Sequence, residues 1–485
     1  MKKKLFINDD FISSQYLWLI PIIDGYCKRN KIENIILLKK FPQNILNHEN
    51  IKKFINNYKV EIIENNDDFI FTKIFKYFFV FLKNIKLISK LFIKSPLENK
   101  NNWYHLQIDH SLWDYMNILL EESKLEKNLI IKLYSYLICV KKIDLGKKLV
   151  KKKITHAFIG HSVYFSRALM AVLRKNDVKV FNQTNFTIYK QPKTKDTFWS
   201  EIKKNEFLKL NKNISDKESE KYWRKRVVGL GTYKDTQIAL NLVKKQKIID
   251  RNFIFLHIFK DSPFNLIDKT RIFDDYFHWF IETVKIINDS NENWYIKFHP
   301  SHKLWGENQK LILQTLLKKN NIKLNNNIKI EKFKLSNQAI FKNAKRIITF
   351  SGTPHLEVAA YGIRPIVISK NTLESFDKRM VLKPNSLKMY RKTLLSSSDS
   401  DIFKLDKKSK NLARKLLFIR ENISSLKEDL KSFTTYRKDT NENIKKEFNI
   451  VKSNSRLYYN QLFSLGYNLN KINKTKSFKY INFLR

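Results

Sequence analysis

Two short stretches carry residue types able to hold a phosphate. Arg346-Ile347-Ile348-Thr349-Phe350 is an apolar run that passes into Ser351-Gly352-Thr353-Pro354 and then into a helical pattern containing Glu357. Thr353 stands where an N-cap hydroxyl belongs, and Pro354 at the first helical position gives up no needed donor. Gly352 lets a ligand come close to the backbone. Free N–H groups and the positive end of the helix dipole would then form an anion seat, although an ordinary tight strand–helix turn reads the same way. The second stretch, Trp294-Tyr295-Ile296-Lys297-Phe298-His299-Pro300, ends another apolar run on a histidine fixed by a proline. In a parallel sheet both strand ends lie on the edge where ligands bind. An imidazole there can donate a hydrogen bond to a nucleotide phosphate and stabilise it as a leaving group.

Other residues near predicted strand ends have two readings each. Arg167 follows His161 and Tyr164 at spacings that share one helix face. It is either a cation facing the ligand or a surface arginine. His257 and Asp261 end the run Phe253 to Ile258, and Asp261 either lines an interdomain cleft or caps the loop before Pro263. Glu357, one turn into its helix, reads from position alone as a helix-dipole carboxylate.

These residues need a scaffold of alternating strands and helices, and the pattern predicts one. Strands are expected at Lys4 to Asn8, Ile32 to Leu38, Val60 to Ile63, Thr155 to Ile159 and Val178 to Phe181, with a helix from Phe11 to Arg29 and another near Tyr164 to Arg174. The alternation restarts with strands at Phe253 to Ile258, Trp294 to Phe298, Ile328 to Ile330, Ile347 to Phe350 and Ile366 to Ile368. Helices are expected between them at Tyr276 to Ile287, Lys310 to Lys318, Asn337 to Asn343 and Pro354 to Tyr361. Such alternation predicts two doubly wound parallel sheets. The chain turns polar and charged around Ser215 to Arg226 before Gly229-Leu230-Gly231, which lacks a third glycine and a preceding strand and so is no dinucleotide fingerprint. The expected domains are therefore 1–228, 229–406 and a basic helical extension, 407–485, frayed from Lys471 onward. No internal repeat of solenoid or propeller period is present.

The 485 residues carry 93 Lys+Arg against 46 Asp+Glu, a net charge of +47, with 43% apolar and 13% aromatic residues. That apolar content supports large cores and excludes global disorder. Lysine is spread along the chain, and neither an RNA-recognition signature nor a clear helix-turn-helix accompanies it, so no nucleic-acid partner is expected. An anionic membrane surface fits better near 67–94, where Phe69, Phe71, Phe75, Phe78, Phe79, Phe81 and Leu82 interleave with Lys73, Lys76, Lys83 and Lys86. An arm packed on the first domain is the equal alternative. Only Cys27 and Cys139 occur, without metal-ligand spacing, which fits a reducing cytoplasm. The opening Met1-Lys2-Lys3-Lys4 leads to a strand and then Asp9-Asp10, so no signal peptide is expected. No charge-free run is long enough for a spanning helix.

With these motifs in place, the chain resembles the bacterial capsule and surface-polysaccharide biosynthesis family. His299-Pro300 looks like the histidine–proline motif of capsule Kdo transferases and bacterial sialyltransferases. Ser351-Gly352-Thr353 with Glu357 resembles that family's serine/threonine-rich phosphate loop and the acidic residue after it. Leu256 to Pro263 and Phe273 to Trp279 resemble the opening of its donor domain, and Gly160 to Arg167 a segment flanking the active-site cleft. The resemblance covers roughly residues 105–370. It implies the α/β GT-B fold, two Rossmann-like domains facing a cleft, with the acceptor bound in the first and the donor in the second. It implies a metal-independent glycosyltransferase with no cofactor beyond a nucleotide-sugar substrate, CMP-sugar favoured. His299, Pro300, Ser351, Gly352 and Thr353 would hold the nucleotide, and Glu357 its ribose hydroxyls. The acceptor would be a surface glycan or a lipid-linked one, at the inner face of the plasma membrane.

Such a transfer also needs a carboxylate or histidine beside the attacking hydroxyl. Asp109 and Asp114, in a stretch that loosely resembles the family's acidic position, and His161 are the candidates. A structural role is the alternative for each. Asp274-Asp275 reads as the acidic start of a helix and not as a metal-binding pair. A CDP-polyol phosphotransferase and a sugar-nucleotide epimerase of the same fold remain open, as does a basic nucleic-acid-binding protein outside catalysis.

Overall fold

The computed structural model describes residues 3–8, 49–63, 102–160, 163–184, 187–191, 214–227, 252–260, 272–300, 335–369 and 372–419, parts of 23–38 and 302–331, and a few isolated positions. Most of the expected helix from Phe11 to Arg29, of which Ile23, Asp24 and Tyr26 to Lys28 are helical, the Gly229-Leu230-Gly231 segment, most of the 67–94 arm and the chain beyond Ile419 lie outside them.

Among the described residues eleven strands form two sheets. The first holds β1 (Lys4–Ile7), β2 (Asn34–Leu38), β3 (Lys59–Ile63), β4 (His156–Ile159), β5 (Lys179–Thr184) and β6 (Thr187–Lys190), in the order β3-β2-β1-β4-β5-β6. All pairings are parallel except that of β5 with β6. The second holds β7 (Asn252–Phe255), β8 (Trp294–Lys297), β9 (Ile328–Ile330), β10 (Arg346–Thr349) and β11 (Ile366–Val367), in the order β11-β10-β7-β8-β9, parallel throughout. In each sheet the first strand is central, the next two lie on one side and the following two on the other. That is the doubly wound Rossmann order, twice over, the pair of units that defines the GT-B class.

The strands read as apolar runs because parallel sheets are covered on both faces. In the second sheet Ile254, Ile296, Ile348 and Ile366 face one core, while Phe253, Phe255, Tyr295 and Ile347 face another. Edge strand β3 departs from this. Its exposed Lys59 and Glu61 keep that edge from pairing with another chain.

Helices fill the layers. In the first unit α1 (Glu49–Asn56) precedes β3, and α2 (Trp103–Leu119), α3 (Leu129–Lys151) and α4 (Arg167–Lys175) follow. Leu145, Leu149, Leu169 and Leu173 of α3 and α4 pack on β1, β2 and β4. Ile108, Leu112, Tyr115 and Met116 of α2 close on their outer side. The helices approach so closely that a Cβ on Gly146 would stand 2.8 Å from the Val172 Cβ.

The second unit holds α5 (Asp216–Val227), α6 (Tyr276–Asn288), α7 (Gln309–Lys319), α8 (Asn337–Asn343), α9 (Pro354–Tyr361), α10 (Thr372–Phe376), α11 (Leu387–Leu395) and α12 (Lys407–Phe418). The compact units divide near 199/200. Three contacts explain why α5 and α12 belong with the second sheet. Arg226 of α5 pairs with Glu357 of α9, Lys415 of α12 pairs with Asp216 of α5, and the Arg414 guanidinium donates to the Ala360 carbonyl. Among the described residues no helix is long and apolar enough to cross a membrane.

Candidate functional site

The second sheet has its switch point between β7 and β10, where the winding reverses, the place at which open α/β sheets bind ligands beyond the strand ends. His257 lies just past the end of β7, and Ser351-Gly352-Thr353 just past the end of β10. The His257 Nε2–H donates to the Ser351 carbonyl, which also accepts from Thr349 Oγ1 at 2.8 Å. Gly352 adopts φ +89°, and a Cβ there would come within 2.3 Å of His257 Cε1. Glycine is thus required first for the imidazole, which lies against the backbone that was expected to face a ligand. The Ser351 hydroxyl pairs with the buried Tyr276 hydroxyl at 3.2 Å.

Helix α9 begins differently from the sequence expectation. Thr353 already has helical angles, φ −58° and ψ −30°, and its side chain makes no capping hydrogen bond. The hydroxyl is therefore not the cap. The His355 ring instead donates from Nδ1 to the Gly352 carbonyl, folding the turn back on itself. The backbone N–H groups of Gly352 and Thr353 donate to nothing among the described residues. They are two orphan donors at a helix start, where the dipole favours negative charge.

His299 stands just past β8, beside β7, with its ring centroid 6.0 Å from that of His257. Its backbone N–H donates to Gln309 Oε1 at 2.8 Å, while Gln309 Nε2 donates to the His257 carbonyl at 2.6 Å. One amide therefore ties both histidine segments together. Gln309 Nε2 also donates to the buried Glu307 carboxylate at 2.9 Å, and that carboxylate accepts from the Phe259 and Lys260 amides at 3.1 Å each. Pro300 follows His299, partly buried.

The electrostatics keep both imidazoles neutral. Burial pushes His257 down to about 4 from its ordinary 6.5, against a smaller opposing effect of the Ser351 carbonyl. His299 is held well below the usual histidine value, by burial first and then by His257, His302 and Lys297. A neutral imidazole still offers one N–H donor. His257 spends its donor on the Ser351 carbonyl, so the donors that can face phosphate oxygens are the Gly352 and Thr353 amides and the Thr353 hydroxyl, with the neutral His299 ring beside His257. Among the described residues no group of three or more His, Cys, Asp or Glu could hold a metal ion.

Glu357 is buried on the first turn of α9. Its Oε1 accepts from Arg226 Nε at 3.1 Å and from Nη2 at 2.7 Å. The sequence offered Glu357 but not its arginine.

In the first unit the predicted residues make a different arrangement. Asp109 and Asp114 are both fully buried on α2. Asp114 Oδ2 accepts from the Tyr164 amide at 3.0 Å and from Arg167 Nε at 3.1 Å, and Arg167 Nη1 donates to Gln107 Oε1 at 3.2 Å. Arg167 is therefore neither a surface arginine nor a solvent-facing cation. It is 1% exposed and neutralised by Asp114, and the pair braces the turn where Tyr164 takes φ +51°. Asp275 likewise has a defined job as the N-cap of α6, accepting from the His278 amide at 2.9 Å. His161 and Asp261 lie outside the described residues.

Comparisons with known proteins add little beyond this geometry. No protein-family model matches the chain, and no curated protein does. Among solved structures, UDP-GlcNAc 2-epimerase from Methanocaldococcus jannaschii matches at 14% identity over 86% of this chain and 100% of its own, with a TM-score of 0.28. The glycosyltransferase VinC in complex with DTDP matches at 9% identity over 93% and 100%, TM-score 0.26. The glycosyltransferase SnogD from Streptomyces nogalater matches at 10% identity over 89% and 98%, TM-score 0.25. Superpositions of this quality carry no weight, and the architecture rests on the two strand orders themselves.

Tyr276, Glu307 and Gln309 escaped the sequence reading, and His257 was seen only as a strand end. Glu307 and Gln309 belong to no motif. Their place where the chain returns from β8, Glu307 just ahead of α7 and Gln309 at its first position, is the sequence signal they leave.

Proposed function

We propose that this chain is a metal-independent, nucleotide-sugar-dependent glycosyltransferase whose donor phosphate sits at the switch point of the second sheet. The observation that carries the reading is the pair of unbonded amides, Gly352 and Thr353, at the start of α9 beside two neutral histidines. Those amides and the helix dipole would hold the phosphate, and the His299 imidazole would donate to the departing oxygen. A CMP-sugar is the favoured donor, and the acceptor a capsular or lipid-linked glycan. Peripheral attachment to an anionic membrane belongs to the same reading. The net charge of +47 supports it, as do Phe79, Leu82 and Ile85 near the expected arm, which are 64%, 43% and 49% exposed.

The test is release of free nucleotide from CMP- and UDP-sugars in the presence of a lipid-linked acceptor. Wild-type protein should liberate CMP, and His299→Ala should lower the rate at least about 100-fold, the usual weight of one donor to developing charge. Equal rates in the two proteins would remove His299 from the chemistry. No release from any nucleotide sugar would remove the function.

A further inference from the structure

We infer that the outward stripe of α3 is a membrane-docking surface, on which Ile130, Leu133 and Tyr134 enter an anionic bilayer at headgroup depth while lysines farther along the helix hold lipid phosphates. The inference rests on the membrane attachment read above, and it adds a contact on a different element from the 67–94 arm.

Helix α3 has a firm start, with Asn128 accepting from the Ile131 amide at 3.0 Å. Its inward face is spent on the fold. Tyr136, Cys139, Val140 and Ile143 are buried in the core that α3 shares with α2 and α4. A helix at the surface of a domain ordinarily carries polar residues on its other side. Here the first two turns are apolar on that side too. Leu129, Ile130, Leu133 and Tyr134 are 60%, 77%, 37% and 54% exposed. Single exposed apolar residues need no explanation, but four bulky ones within two helical turns do.

The rest of the same stripe indicates what covers them. Lys141, Lys148 and Lys151 follow Ile130, Leu133 and Tyr134 along that face at helical spacings. The helix carries six lysines and one acidic residue, Asp144, which pairs with Lys148 at 3.7 Å. Its outward side is therefore apolar at the start and basic beyond, over about 27 Å between Ile130 and Lys148. The acidic side chains just ahead in the chain do not offset this charge, since Glu121 pairs with Lys124 at 3.2 Å and Glu126 with Lys319 at 2.7 Å. A nucleic acid would take the lysines but has no place for Ile130 and Leu133. An anionic bilayer takes both, with phosphates at its surface and acyl chains about 5–10 Å deeper. Tyrosine favours the boundary between those layers, and lysine stems can lie along apolar surface with their ammonium groups among the headgroups. The helix would dock tilted, its start deeper than its end.

The test is flotation of the intact chain with vesicles of phosphatidylcholine, alone or mixed with phosphatidylserine. Wild type is compared with an apolar variant (Ile130→Gln, Leu133→Gln, Tyr134→Gln) and a charge variant (Lys148→Gln, Lys151→Gln). These side chains lie at the surface, so unfolding midpoints should stay at the wild-type value. The apolar variant should bind the mixed vesicles at least about tenfold more weakly. The charge variant should lose about fivefold for each lysine, on the mixed vesicles only. Because Cys27 and Cys139 are buried, a nitroxide can be attached to Ile130→Cys alone. On vesicle-bound protein it should become more accessible to oxygen and less so to a water-soluble nickel chelate, a change that a purely structural helix would not give. Wild-type flotation by the apolar variant would overturn the assignment. A solution dimer broken in that variant, with flotation intact, would give the stripe to a second copy of the chain and overturn it too. If wild type floats with neither vesicle, the membrane reading fails and takes this inference with it. If it floats while the nitroxide stays in water, only this inference fails.

Discussion

At the scale of single residues, the account turns on His257. Its ring fills the space over Gly352, donates to the Ser351 carbonyl and is kept neutral by burial. A histidine with a depressed folded value binds fewer protons than its unfolded form, so stability is whole above about 6.5 and declines as pH falls toward 4. Urea unfolding at intervals across that range should show the decline, and His257→Asn should flatten it. A variant with the wild-type slope would mean that other groups set the acid limb. Gly352→Ala should abolish nucleotide binding, because a side chain at φ +89° is strained and its Cβ meets the imidazole. Retained affinity in that variant would contradict the site geometry. The strand-end positions of His299, Ser351, Gly352 and Thr353, and the place of Glu357 on the following helix, were legible in the sequence. Their partners were not, because a strand-end pattern shows which residues reach an edge but not which strand lies alongside. The contact of His257 with Ser351 depends on β7 being wound next to β10, and that of Arg226 with Glu357 on a helix 131 residues away.

At the scale of elements, the parallel strands were the most legible feature. The short buried runs of β8 and β10 mark themselves, because a strand covered on both faces is apolar along most of its length. Edge strand β6 escaped notice for the opposite reason. It is short, antiparallel and of mixed composition, Thr187-Ile188-Tyr189-Lys190. Helices α2 and α3 were also passed over, since α2 is buried around most of its circumference and shows little of the one-sided pattern that marks a surface helix. Their packing yields two predictions. Gly146→Ala should destabilise the protein by about 1–3 kcal/mol, since the added methyl meets Val172 at its Cβ, which cannot swing aside. Asp114→Ala should cost about 3–5 kcal/mol by leaving Arg167 buried without its counter-charge. Denaturant midpoints measure both. An Asp114→Ala protein of undiminished stability that had lost transfer activity would return Asp114 to a catalytic role.

At the scale of the whole molecule, two Rossmann-type sheets of the same winding stand in one chain with a large excess of positive charge. The charge was visible from composition, but composition alone does not distinguish a lipid surface from a nucleic acid. Phe79, Leu82 and Ile85 are exposed enough that changing all three to serine should leave the fold intact. The triple variant should float less with vesicles containing anionic phospholipid than the wild type does. Equal flotation would remove these residues from any membrane contact. The most direct test of the central claim is a thermal-shift screen of wild type and His299→Ala against CMP, CDP, UMP, UDP and short single-stranded RNA. A nucleotide present at about 100 times its Kd stabilises the folded state by about 2.7 kcal/mol, enough to move the midpoint visibly. The account predicts a shift selective for a cytidine nucleotide that disappears in His299→Ala. A salt-sensitive shift with RNA, and none with any mononucleotide, would contradict it.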